Sequence, residues 1–140
     1  MTAITFLGSS KPFIIPDEGF LGLWVNEVDL DAWGELLEGL YTLPYIYEIS
    51  GADTSAFLLY LEKYLEVGDV LELIHCPSQK DFERYRRRLI DDPELIVINV
   101  GRFTYQNKYG TYQLNPQKWV EELSHKIYLT EHGITSIVKY

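Results

Sequence analysis

The chain has a single cysteine, Cys76, so an internal disulfide is impossible. No apolar run approaches the roughly 18 residues that a membrane-spanning helix requires. The opening MTAITFLGSSKPFIIP has neither a basic leader nor a long apolar core, so a secretion signal is not expected. Together these absences favour a reducing, cytoplasmic setting with no membrane partner. Repeats, low-complexity tracts and linkers are also missing. That leaves one globular domain over 1–140, long enough to bury a real core.

Basic side chains are scarce where the chain begins. Residues 1–79 hold two, Lys11 and Lys63, against 13 acidic ones, a net of −11. Residues 80–140 hold ten basic and eight acidic, a net of +2, and the whole chain carries −9. Nucleic-acid binding needs cations against phosphates, so this balance argues against it. An acidic surface suits solubility, or a basic protein partner.

The familiar catalytic signatures are absent too: no G-x-S-x-G, no phosphate-binding glycine loop, no G-x-G-x-x-G and no H-E-x-x-H. The stretch HCPSQKDFERYRRRL (75–89) invites a closer look, because a thiolate at a helix amino end is activated by the helix dipole. A phosphatase-like C-x5-R spacing fails, since Phe82 stands where the arginine belongs. A redox C-x-x-C spacing fails at Gln79. Cys76 therefore reads as the buried end of a strand, with Ser78 and Asp81 capping the helix that follows. His75 and Cys76 are adjacent in a strand and point to opposite faces, so with His125 and His132 they form no metal-ligand set. Glu48 and Glu72 fall mid-strand, and as facing neighbours they would make an acid/base pair. No metal or cofactor is expected.

What is present has a clear rhythm. AITFLG (3–8), PYIYEIS (44–50), VLELIHC (70–76) and ELIVINV (94–100) read as strands. PFIIP (12–16) and FLGLWVNEV (20–28) read as extended. Trp33, Leu36, Leu37 and Leu40 line one face of a helix over 29–41, with Asp29 or Asp31 as its cap. Phe57, Leu58, Leu61 and Leu65 line a second helix, capped by Asp53 or Thr54 and stopped by Gly68. Phe82, Tyr85, Leu89 and Ile90 line a third. Residues 102–114 alternate aromatic and polar side chains around Asn107–Gly110, a hairpin pattern. Asn115 and Pro116 open a fourth helix with Trp119, Leu123 and Ile127 inward. Gly133 ends it before a last strand, ITSIVKY.

The expected fold is α+β with an α/β-like centre. A β-α-β-α-β core of parallel strands joins flanking antiparallel strands in one mixed sheet, with about four helices mainly on one face. The expected function is protein binding. Asp31, Glu35 and Glu38 occupy the outer side of the first helix, beside Asp29. Tyr105, Tyr109 and Tyr112, from a chain with 11 tyrosines, supply aromatic contacts. This physical profile fits immunity or antitoxin-type inhibitors, whose nuclease-like targets are basic. Two rival readings stand beside it: a small enzyme using Cys76 and His75 or the Glu48/Glu72 pair, and a homo-oligomeric subunit joined through the tyrosine hairpin or an edge strand.

One test follows from the charge pattern. Arg84, Arg87 and Arg88 share a helix face, expected to be solvated and paired with Glu83, Asp91 and Asp92. The protein should show no sub-micromolar, salt-dependent binding to RNA or DNA in fluorescence anisotropy. Tight binding that vanishes on replacing these three arginines by glutamine would refute that reading.

Overall fold

The computed structural model describes residues 4–14, 22–28, 43–76, 82–126, 128–129 and 133–140. The expected helix over 29–41, with Asp29, Asp31, Glu35 and Glu38, lies outside these residues, as do Ser78, Asp81, Ile127 and His132.

Eight strands make one mixed sheet: β1 (Ile4–Ser9), β2 (Trp24–Glu27), β3 (Tyr45–Ser50), β4 (Val70–Cys76), β5 (Glu94–Asn99), β6 (Thr104–Asn107), β7 (Gly110–Gln113) and β8 (Gly133–Val138). Their spatial order is β2-β3-β1-β4-β8-β5-β6-β7. Three helices are described: α1 (Ser55–Tyr64), α2 (Phe82–Asp91) and α3 (Trp119–Ser124). The α+β class and the mixed sheet stand as expected.

The parallel core does not. β3 and β4 run in the same direction, but β1 lies between them and is antiparallel to both. β5 runs opposite to β4, because β8 separates them, antiparallel to β4 and parallel to β5. The β5–β8 pair is thus the only parallel neighbour pair among the described strands. Local patterning makes strand-helix-strand units look like simple crossovers. Strands inserted from distant sequence then split both of them.

Side-chain alternation gives the sheet two apolar faces. On one, Leu7, Leu73, Ile96, Ile98 and Ile137 pack beneath α1 and α3 through Phe57, Leu58, Leu61, Trp119 and Leu123. On the other, Phe6, Ile74 and Cys76 pack beneath α2 through Tyr85 and Leu89. The described helices therefore divide between the faces, two and one. Ile90, expected inward on α2, is exposed, as is Leu95 on the same side of the sheet.

The ends of elements differ in detail from expectation. Thr54 holds the cap position of α1, yet its hydroxyl donates to the Gly51 carbonyl (2.6 Å) and not to the helix. Helix α1 ends at Tyr64, with Leu65 as its cap, before Gly68, whose positive φ of 94° serves the following turn. Asn115 sits in a turn ahead of α3, where its side chain accepts from the Gln117 amide (2.9 Å). Gly133 begins β8. Beyond β5 the chain folds tightly on residues 139–140. The Asn99 side-chain oxygen accepts from the amides of Gly101 (2.9 Å) and Arg102 (3.1 Å). A Cβ on Gly101 would lie 2.2 Å from the Tyr140 carbonyl oxygen, so only glycine fits.

Tyr128 ties the segment before β8 to the turn after β3, since its buried hydroxyl donates to the Ala52 carbonyl (2.7 Å). Burial holds its phenol above the ordinary value, and the charge of Asp53 adds to the effect. Burial also raises Tyr60, whose hydroxyl donates to the Ile14 carbonyl. A raised phenol means that the unfolded chain ionises first. This stabilisation is therefore complete below pH ~10 and fades as pH rises toward the folded value. Urea unfolding above pH ~10 should show a falling midpoint. Tyr128→Phe should cost about 1 kcal/mol at neutral pH and make the alkaline decline shallower. An unchanged alkaline slope in the variant would contradict the assignment to Tyr128.

Candidate functional site

The expected catalytic groups do not assemble. His75 and Cys76 belong to opposite faces of β4: His75 faces Thr5, and Cys76 is only 1% exposed in the core under α2. Glu48 and Glu72 share a face but are not facing neighbours. Glu48 is opposite Phe6 of β1, while Glu72 is opposite Gly8. Two strand spacings and a two-residue offset put their Cα atoms roughly 12 Å apart. Among the described residues, no group of three His, Cys, Asp or Glu side chains is placed to hold a metal ion.

The hairpin forms as expected, with Tyr105 opposite Tyr112. Its tyrosines do not make one surface. Tyr105 is 6% exposed and belongs to the main core. Tyr112 is 43% exposed beside it, ring centroids 6.1 Å apart, and Lys126 lies over both rings at 5.4 and 5.2 Å. Only Tyr109, at the turn, is fully presented, at 77%. On α2, Arg84, Arg87 and Arg88 are solvated as expected. The pairs expected with Glu83, Asp91 and Asp92 are not formed within 4.0 Å.

A site that the sequence reading missed lies where β2 begins and β3 ends. A cavity of about 380 Å³ opens there. Strand β2 contributes Trp24 and Asn26, β3 contributes Glu48 and Ser50, and the turn into α1 contributes Asp53. Thr5 and His75 also line it, from the other face of the sheet, joined by a 2.8 Å hydrogen bond between the threonine hydroxyl and imidazole Nδ1. Register explains the grouping: Trp24 is opposite Ser50, and Asn26 opposite Glu48, so all four side chains leave the same face.

Backbone geometry sets the mouth. Gly51 has φ 88°, and a Cβ there would stand 2.1 Å from the Gly22 carbonyl oxygen. Glycine at 51 lets the turn press against the chain entering β2. That contact places Asp53 and Trp24 on the rim of the same cavity.

No family model, curated protein or solved structure matches the chain.

Trp24 is 70% exposed on a strand with a neighbour on one side only among the described strands. An indole so displayed is the side chain that most often anchors a protein interface. Among the described residues, the formal charges lining the cavity are the carboxylates of Glu48 and Asp53, with no lysine or arginine beside them. A signal for Trp24 did exist in the sequence. Leu23 and Val25 alternate with Trp24 and Asn26, so the polar asparagine marks the outward parity that Trp24 shares.

The placement of Cys76 generates a direct test. Its thiol should react slowly with a disulfide reagent in the native protein and rapidly in denaturant. Cys76→Ala should cost about 1–2 kcal/mol in urea unfolding. Fast native-state modification would show that the thiol is accessible and overturn the structural reading.

Proposed function

We propose that the protein is an acidic binding module that associates with a basic protein, in the manner of an immunity or antitoxin-type inhibitor of a nuclease-like partner in the cytoplasm. The observation that carries this reading is the exposed Trp24 beside a cavity lined by Glu48 and Asp53, with no lysine or arginine lining it among the described residues. An aromatic anchor gives lifetime to a complex, and fixed negative charge speeds the encounter with a cationic surface.

Charge elsewhere supports the same direction. Of the two cations in the first 79 residues, Lys11 is held by Asp69 (2.7 Å) and Glu66 (3.2 Å), and those contacts raise its pKa, Asp69 foremost. It is thus occupied within the fold and does little to offset the other carboxylates of that half. Asp29, Asp31, Glu35 and Glu38, outside the described residues, add to the negative charge of that half. Tyr109 and Tyr112, the latter backed by Tyr105, lie at the opposite edge of the sheet from Trp24 and make a separate aromatic area.

If a basic protein is encoded next to this gene, it is the partner to test, with stopped-flow association measured against ionic strength. Association should slow as salt rises. A variant neutralised at Asp31, Glu35 and Glu38 should associate more slowly at low salt and respond less to salt. Identical rates and identical salt slopes for the two proteins would remove those three residues from the binding surface. A partner enzyme left fully active by a stoichiometric excess of this protein would overturn the inhibitor reading.

A further inference from the structure

We infer that the Trp24 cavity receives one arginine side chain of the basic protein partner. This rests on the protein-binding reading above and names the chemical group that the site selects.

The cavity holds about 380 Å³, ample for a guanidinium and its aliphatic stem. Its chemistry is asymmetric. Glu48 and Asp53 offer carboxylates, and Asn26 and Ser50 offer neutral oxygens that can accept hydrogen bonds. A cation with several donors suits that set. Guanidinium carries five N–H donors in a plane and pairs with carboxylates at two points. A lysine ammonium concentrates its charge at one strongly hydrated centre, so it is less suited to acceptors spread around a wall. The exposed indole of Trp24 adds a flat face on which a guanidinium stacks, with cation–π attraction.

Access fits a protein side chain. Strand β2 has β3 on one side, and its other edge is unpaired among the described strands. An extended partner segment can run along that edge and pass a long side chain over Trp24 into the cavity. A stem of three methylenes lies against the indole while the charged end reaches Glu48 and Asp53. Asp53 follows the tight turn at Gly51, and Glu48 is fixed by β-pairing with Phe6 and Asn26. Both carboxylates are thus carried on defined backbone, which lowers the ordering cost of binding.

The probe is N-acetyl-L-arginine methylamide, titrated into the full-length protein and followed by two-dimensional NMR. The neutral citrulline analogue and the lysine analogue serve as comparisons. Saturable shifts of the Trp24 indole N–H and the Ser50 and Gly51 amides are expected, with roughly millimolar affinity for an isolated side chain. Citrulline and a Glu48→Gln/Asp53→Asn variant should each bind at least ~10-fold more weakly, a difference of about 1.4 kcal/mol. Spectral dispersion confirms that the variant is folded, and Trp24→Leu supplies a second variant with both carboxylates intact. Equal binding of citrulline or of lysine, or no loss in the double variant, would overturn the assignment. The same variant measured with the basic partner separates this inference from the reading beneath it. Salt-dependent partner binding unaffected by the double substitution leaves the binding module standing and removes the arginine pocket. Arginine binding in the cavity with no basic protein bound does the reverse.

Discussion

The register of β1 governs both faces of the sheet. Phe6 and Leu7 are consecutive and fully buried, one in each core. A strand can do this only where both its faces are covered and both its edges are paired, as β1 is by β3 and β4. A slip of one residue would put each side chain on the wrong face. The same register brings Thr5 to His75 and Glu48 opposite Phe6, and through β3 it sets Trp24 opposite Ser50. The cavity is therefore a product of strand pairing more than of loop conformation.

Much of the local structure was legible. VLELIHC is β4 residue for residue, because apolar alternation is bounded by Gly68 before it and Pro77 after it. The hairpin was legible from Asn107 and Gly110, and the asparagine side chain does stabilise the turn by accepting from the Tyr109 amide. Strand order was not legible. Nothing in ITSIVKY announces that it will separate β4 from β5, since that choice rests on pairing between residues far apart in sequence. Alternation likewise shows that Tyr105 and Tyr112 share a face but not which face. The core under α1 and α3 decides it, and Tyr105 goes inside.

The candidate site shows the same division. The carboxylates were visible as an excess of negative charge, but the sequence reading located them on the 29–41 helix and the aromatic anchor on the hairpin. The structure adds a third place, where Trp24, Glu48 and Asp53 come from two strands and a turn that only tertiary pairing brings together. Their separation along the chain, from 24 to 53, is why no local motif revealed them. His75 and Cys76 illustrate the converse: neighbours in sequence are divided by the sheet itself.

The position of β8 has a consequence for how the molecule forms. Residues 133–138 bridge β4 and β5, so neither of those strands has its inner partner until the latest strand in the sequence is made. During synthesis, some sixty residues separate the appearance of β4 from that of its partner. The inner edge of β4, and after residue 99 that of β5, stays open until β8 is made, and the loop that must close is long, which slows folding. A nascent chain of this design is exposed to strand-mediated misassembly before it is complete. β1, β3, β4 and α1 all lie within residues 4–76, so one strand triplet and the helix on its face are complete in sequence before β8 is made.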